Sequence, residues 1–249
     1  MPSQYVSESE ARQPSGLLAS KIQLKTFAQA ALDLLFPPRC AGCDRVDSVW
    51  CSRCHAKLIA EPIIVPRKAV TDTFIVASTG LHDGILQQAV QGLKYEQVRL
   101  LSGELGRRLA AALQSLDWDI DVIVPVPLGE VRLKERGYNQ AQLIAEALAA
   151  ERAVPCLPQA LRRRRETRSQ VGLNAQQRGE NMSDAFEADA TQVQDRRILI
   201  IDDVLTTGST LNACAQAAAA AGAFSTWGLT VTAARIAPDN NRLSLVSQL

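Results

Sequence analysis

Histidine is almost absent from this chain of 249 residues: only His55 and His82 occur, and no Ser–His–Asp set for nucleophilic catalysis is evident. No run of 18 or more apolar residues exists, which argues against a membrane-spanning helix. The opening stretch MPSQYVSESEARQPSG is polar and partly acidic and lacks the apolar core of a signal peptide. A cytoplasmic protein without a membrane span is therefore expected. Net charge is only +1, with a sequence pI near 7.6, so no global field recruits nucleic acid or a membrane surface. Two common phosphate-binding fingerprints are missing as well: neither G-x-x-x-x-G-K-[ST] nor a G-x-G-x-x-G after a strand is present.

Hydrophobic residues make up 47 % of the chain, enough for an ordinary core in one medium domain with an appendage or in two small domains. The expected division is a disordered leader over 1–20, an amphipathic helix with a cysteine module over 21–62, an α/β domain over 63–237 and a tail over 238–249.

The most informative stretch is RILIIDDVLTTGSTL, Arg197 to Leu211. A β-rich apolar run ends in Asp202 and Asp203; a loop of small and hydroxyl residues follows, then an Ala-rich segment that reads as a helix. Parallel sheets put ligands at the carboxyl ends of strands, and helix N-termini offer free N–H groups and positive dipole to phosphate. Carboxylates beside a phosphate cradle must serve something else, either sugar hydroxyls or a divalent cation such as Mg²⁺. A ribose carrying a 5-phosphate satisfies both halves at once. A plain buried strand with a hydroxyl-capped helix is the simpler alternative, but two acids followed by Thr206, Thr207, Gly208, Ser209 and Thr210 are unusual for it.

Four of the six cysteines cluster as Cys40-x-x-Cys43 and Cys51-x-x-Cys54. Two such knuckles aim four thiolates at one centre, the arrangement structural Zn²⁺ prefers. Disulfides and an iron–sulfur cluster are the alternatives, less suited to the compartment and to the compact symmetric spacing. His55 adjoins Cys54, yet four thiolates already close a shell. Cys156 and Cys214 read as small buried hydrophobes.

Leu24, Phe27, Ala28, Ala31 and Leu35 recur at helical spacing before Pro37 and Pro38. Pro62 and Pro66 bracket a linker. Strands are expected over 73–78, 121–126, 153–157, 185–188, 198–201 and 225–233, with helices around 85–93, 101–113, 139–150 and from the hydroxyl loop to Ala221. Alternation of this kind predicts a parallel, doubly wound sheet with right-handed crossovers.

Two further segments carry charge. PLGEVRLKERGYNQ, after Val126, reads as a loop whose Arg132 and Arg136 could neighbour a pyrophosphate, or as a solvated face. Leu161 to Met182 is long and basic, with Arg162 to Arg165 and Arg168, and no aromatic residue interleaves to stack bases. It fits a closing lid over a polyanion, a nucleic-acid contact or a plain exposed loop.

The acid pair and its loop resemble the phosphoribosyl-pyrophosphate (PRPP) motif of type I phosphoribosyltransferases. With the cysteine module, GLK-Y at 92–95, VPVP at 124–127, RGYNQAQLIA at 136–145, R-x-T-x-x-Q at 165–170, R-x-x-N at 178–181 and AF at 185–186, the chain resembles the ComF/GntX group from Cys40 to about Ala234. His82 departs from the tyrosine usual in that group. The resemblance implies a four-cysteine zinc ribbon before a phosphoribosyltransferase domain. Asp202 and Asp203 would be the catalytic acids, holding the ribose hydroxyls and Mg²⁺ with PRPP, and Thr206 to Thr210 would wrap the 5-phosphate. The reaction implied is transfer of the phosphoribosyl group to a nitrogen acceptor. The alternative it implies is an accessory protein of competence and DNA uptake, binding single-stranded DNA or a helicase.

Overall fold

The computed structural model describes residues 37–46, 48–95, 98–164 and 185–234. The expected leader, the helix around Leu24 to Leu35, Arg165, Arg168, Arg178 to Asn181 and the tail lie outside the described residues.

A five-stranded sheet has the order β1 (Arg67–Thr71), β2 (Phe74–Ser78), β7 (Ser225–Ala233), β6 (Arg197–Leu205), β3 (Val122–Pro125). All neighbours are parallel except β1 and β2. Ile198, Leu199, Ile200 and Ile201 of β6 are sealed from solvent, the continuous apolar run of a strand covered on both faces. Leu199 and Ile201 pack with α2 (Gly84–Lys94), α3 (Leu101–Leu113) and α5 (Gln140–Arg152), whereas Ile198 and Ile200 pack with α7 (Ser209–Ala220). This is the doubly wound α/β architecture expected from the sequence. The forked pairing of Arg197 Nε and Nη2 with the two Asp121 oxygens, at 3.0 and 2.7 Å, fixes the start of β6 against β3.

Four details differ from the sequence reading. An edge strand, β1, for which no strand was expected, lies between the linker bracketed by Pro62 and Pro66 and the strand expected over 73–78. The segment 153–157 makes a single bridge, Ile123 to Cys156, because Pro155 can only accept. The stretch after Val126 is not a loop but a short helix, α4 (Glu130–Arg136), with no buried residue. Finally, β5 (Phe186–Ala188) leaves the main sheet and pairs with β4 (Leu161–Arg163) in a two-stranded ribbon, followed by the single turn α6 (Ala190–Val193).

The cysteine module includes α1 (Ser52–Ala60), and Cys40, Trp50, Cys51, Cys54 and Leu58 share one apolar cluster with α2 and α3. Arg108 ties the module to the sheet. Its guanidinium, 7 % exposed as a residue, donates to the carbonyls of Glu61, Pro62 and Thr79 and to the Thr79 hydroxyl. No helix among the described residues is long and apolar enough to cross a membrane.

Candidate functional site

Because β2, β7, β6 and β3 run parallel, their carboxyl ends meet along one edge of the sheet. β6 continues through Asp202 and Asp203 to Leu205, so the acids sit within the strand instead of following it. Strand alternation sends them to opposite faces. Asp203 lies on the face of α2 and is 4 % exposed. Lys94, the last residue of α2, brings its Nζ to 2.9 Å from Asp203 Oδ2, but that oxygen takes no well-directed hydrogen bond. Asp202, half-buried on the α7 side, accepts from the Asp203 N–H at 2.8 Å. Burial first, and the neighbouring Asp203 charge second, push its carboxyl up to about 7.

The hydroxyl loop turns at Thr206 to Gly208 into α7, whose first residues are Ser209 and Thr210. Gly208 has φ +90°, and a Cβ there would meet Val70 Cγ2 of β1 at 2.9 Å, so both conformation and space require glycine. Thr207 and Ser209 hydroxyls bond each other at 2.8 Å, and the Ser209 N–H reaches Thr207 Oγ1 at 3.3 Å.

Residues that the sequence reading did not assign to the site stand around it. Lys68 of β1 donates to the Thr207 carbonyl at 3.1 Å. His82, after β2, shares a 2.8 Å hydrogen bond between Nδ1 and Thr232 Oγ1. Burial, then the Lys94 charge, lower its pKa and favour the neutral ring. GLK-Y had singled out Lys94 as part of a resemblance, without a role. Lys68 and His82 meet the site only through long-range pairing.

The other expected residues scatter. Arg132 is exposed on α4. Arg136 is engaged by Gln140 Oε1 and lies 5.6 Å over the ring of Tyr95. Of the arginine run, Arg164 forms a forked pair with Glu187, at 2.9 and 2.6 Å, and Arg163 stands 5.7 Å over Phe186. Arg165 and Arg168, expected in a lid, fall outside the described residues.

The cysteine knuckles close as expected. The four sulfurs of Cys40, Cys43, Cys51 and Cys54 lie within 4.8 Å of one another, with Cys43 and Cys51 at 3.6 Å. Four sulfurs on a tetrahedral ion with bonds of 2.3 Å stand about 3.8 Å apart. The set therefore fits one metal ion. Gly42 allows the close turn, since a Cβ there would lie 2.8 Å from Cys54 Sγ. His55 is turned away, 3.6 Å from Glu104.

No family model matches the chain. It is 40 % identical over 94 residues to Competence protein F of Haemophilus influenzae, covering 37 % of this chain and 41 % of that one. It is 40 % identical over 96 residues to the DNA utilization protein YhgH of Escherichia coli K12, covering 39 % and 42 %. Competence protein ComFC of Bacillus subtilis matches at 34 % over 95 residues, 38 % and 37 %. The matched segment thus spans about two fifths of these relatives. The kinship with the ComF group expected from the sequence is borne out over that segment. Among solved structures, adenine phosphoribosyl transferase of Trypanosoma brucei aligns at 12 % identity, TM-score 0.40, over 70 % of this chain and 87 % of that one. Glutamine PRPP amidotransferase of B. subtilis aligns at 20 % identity, TM-score 0.37, over 51 % and 25 %.

Proposed function

We propose that this chain binds a 5-phosphorylated ribose, PRPP in the first instance, at the carboxyl edge of its sheet, and that its four cysteines hold one structural Zn²⁺. Asp203 carries the reading. A carboxylate 4 % exposed, held by Lys94 Nζ at 2.9 Å from Oδ2 without a well-directed hydrogen bond, stands just before a hydroxyl-rich turn into a helix N-terminus. One ammonium does not fill the acceptor capacity of a buried carboxylate, which keeps lone pairs for further donors. Ribose hydroxyls are donors that also bring a phosphate to the neighbouring turn. Asp202 and Asp203 would accept from the 2- and 3-hydroxyls, while Thr206, Thr207, Gly208, Ser209 and Thr210 would wrap the 5-phosphate.

In the transferase form of this reading, a nitrogen lone pair forms a bond to C1 as the C1–O bond to pyrophosphate breaks. Pyrophosphate leaves with the bonding electrons, and the nitrogen releases its proton to solvent. The acids would stabilise positive charge developing on the sugar, and exclusion of water would protect it. Mg²⁺ bound with PRPP would offset the charge of the departing pyrophosphate. Among the described residues Lys94 is the cation paired with the acids, with Arg132 and Arg136 further candidates for the pyrophosphate side.

A second reading is an accessory protein of DNA uptake that binds single-stranded DNA or a helicase without turnover. The names of the relatives favour it, as does Tyr95, 71 % exposed with Arg136 over its ring, a surface suited to base stacking.

A titration with PRPP, with and without Mg²⁺, tests the proposal by thermal shift and calorimetry. Stabilisation that the Asp202→Asn, Asp203→Asn double variant abolishes is expected. Affinity untouched by that double change would remove the acids from the site. No response to PRPP, with salt-sensitive binding of single-stranded DNA, would favour the accessory reading.

A further inference from the structure

Lys68 belongs to a strand invisible to the sequence reading, and nothing in the proposed chemistry yet uses it. Its Nζ donates to the Thr207 carbonyl across 139 residues of chain. It is half-buried, and among the described residues no carboxylate lies within ion-pair distance of it. Burial without a counter-ion lowers its pKa. An ammonium held this way costs the fold something, and its single partner among the described residues is one peptide of the hydroxyl loop.

That peptide joins Thr207 to Gly208. In a trans peptide the C=O and the following N–H point in opposite directions. An ammonium on the Thr207 carbonyl therefore holds the Gly208 N–H pointing away from β1. Gly208 is buried, and its N–H has no backbone or side-chain acceptor among the described residues, although its carbonyl accepts from Asn212 at 2.8 Å. Buried backbone donors are rarely left unpaired. Glycine at φ +90° could let this peptide turn over at little steric cost. Val70 limits such a turn from one side, and Lys68 fixes its electrostatic sense.

We infer that Lys68 is a positioning residue for the phosphate of the ligand: it pins the Thr207–Gly208 peptide so that the Gly208 N–H faces a phosphomonoester, and it adds the positive charge that the acid pair would otherwise outweigh. This rests on the ribose-phosphate reading. Lys94 is already committed to Asp203 and His82 is held towards its neutral form, so Lys68 is the cation of the group without an acidic partner.

The test compares the full chain with Lys68→Met and Lys68→Arg, titrated with ribose 5-phosphate. Calorimetry gives affinity, and the Gly208 amide signal in ¹H–¹⁵N spectra gives the orientation of the donor. Lys68→Met is expected to lose about tenfold or more in affinity and most of the ligand-induced movement of the Gly208 amide signal. Lys68→Arg should restore both in large part. Should Lys68→Met fail to fold, Lys68→Gln carries the same comparison. Affinity within about twofold of the unaltered chain, with the Gly208 signal moving as before, overturns the inference and leaves the ribose-phosphate reading standing. Failure of the unaltered chain to bind either PRPP or ribose 5-phosphate overturns both.

Discussion

Lys94 Nζ stands 2.9 Å from Asp203 Oδ2, joining the last residue of one helix to the acid in the middle of the sheet's carboxyl edge. The lysine side chain is 21 % exposed and the carboxylate 5 %, so water screens the pair poorly. Removing one partner leaves the other charged and largely buried. Lys94→Met is expected to destabilise the fold by about 1–3 kcal/mol in urea unfolding. Lys94→Met combined with Asp203→Asn should recover part of that loss. Additive losses in the double-mutant cycle would show that the two charges are not coupled.

Asp202 has the opposite sign of pH dependence from a salt-bridged carboxylate. Its folded pKa, about 7, lies above the ordinary value of 3.8, so the folded protein holds a proton there that the unfolded chain releases. Its contribution is most favourable below about pH 4 and is lost as pH rises towards and through 7. Asp202→Asn should therefore flatten the fall in stability between about pH 4 and 7, and at pH 8 stabilise the chain by an amount on the order of 2 kcal/mol. Melting curves across that range check it. Identical slopes for both proteins would contradict the assignment.

Metal removal should be felt well beyond the knuckles. Cys40, Cys51 and Cys54 share their apolar cluster with Leu86, Leu93 and Leu105, so the thiolate site and the helical layer pack as one. Protein purified without chelator is expected to carry about one zinc per chain, and a strong chelator to lower the melting temperature of the whole molecule. Zinc well below one per chain would remove the metal from the account.

Gly208→Ala should cost about 1–3 kcal/mol, since it combines a left-handed backbone with a contact to Val70. Val70→Ala in the same chain relieves the contact but not the backbone strain, so partial recovery is expected in denaturant titrations. Full recovery would assign the whole cost to crowding.

The legible parts of the molecule are those in which local pattern and long-range packing agree. β7 matches its expected bounds, and α5 is capped by Asn139, whose side chain accepts from the Ala141 N–H. β6 was recognised from its apolar run, but its continuation through two aspartates was not, because pairing with Thr230 and Thr232 of β7 carries the strand past the point where hydrophobicity ends. RKAVT gave no strand signal: β1 is an edge strand, exposed at alternate positions. α4 buries nothing, so no periodicity marks it. The acids and cysteines of the candidate site declare themselves by adjacency and spacing. Lys68 and His82 do not, since each reaches the site through a partner more than a hundred residues away.

Arg108 has a consequence for where this chain can be cut. Two of its four acceptors are the carbonyls of Glu61 and Pro62, at the junction where the cysteine module meets the α/β layers. A fragment beginning at residue 63 would keep the guanidinium and lose those acceptors, leaving a cation in the core with half its partners gone. The junction reads as a linker in composition, but its backbone oxygens serve as ligands for a buried side chain. The α/β part is therefore expected to express poorly as a separate piece, and a division that retains Glu61 and Pro62 to express better.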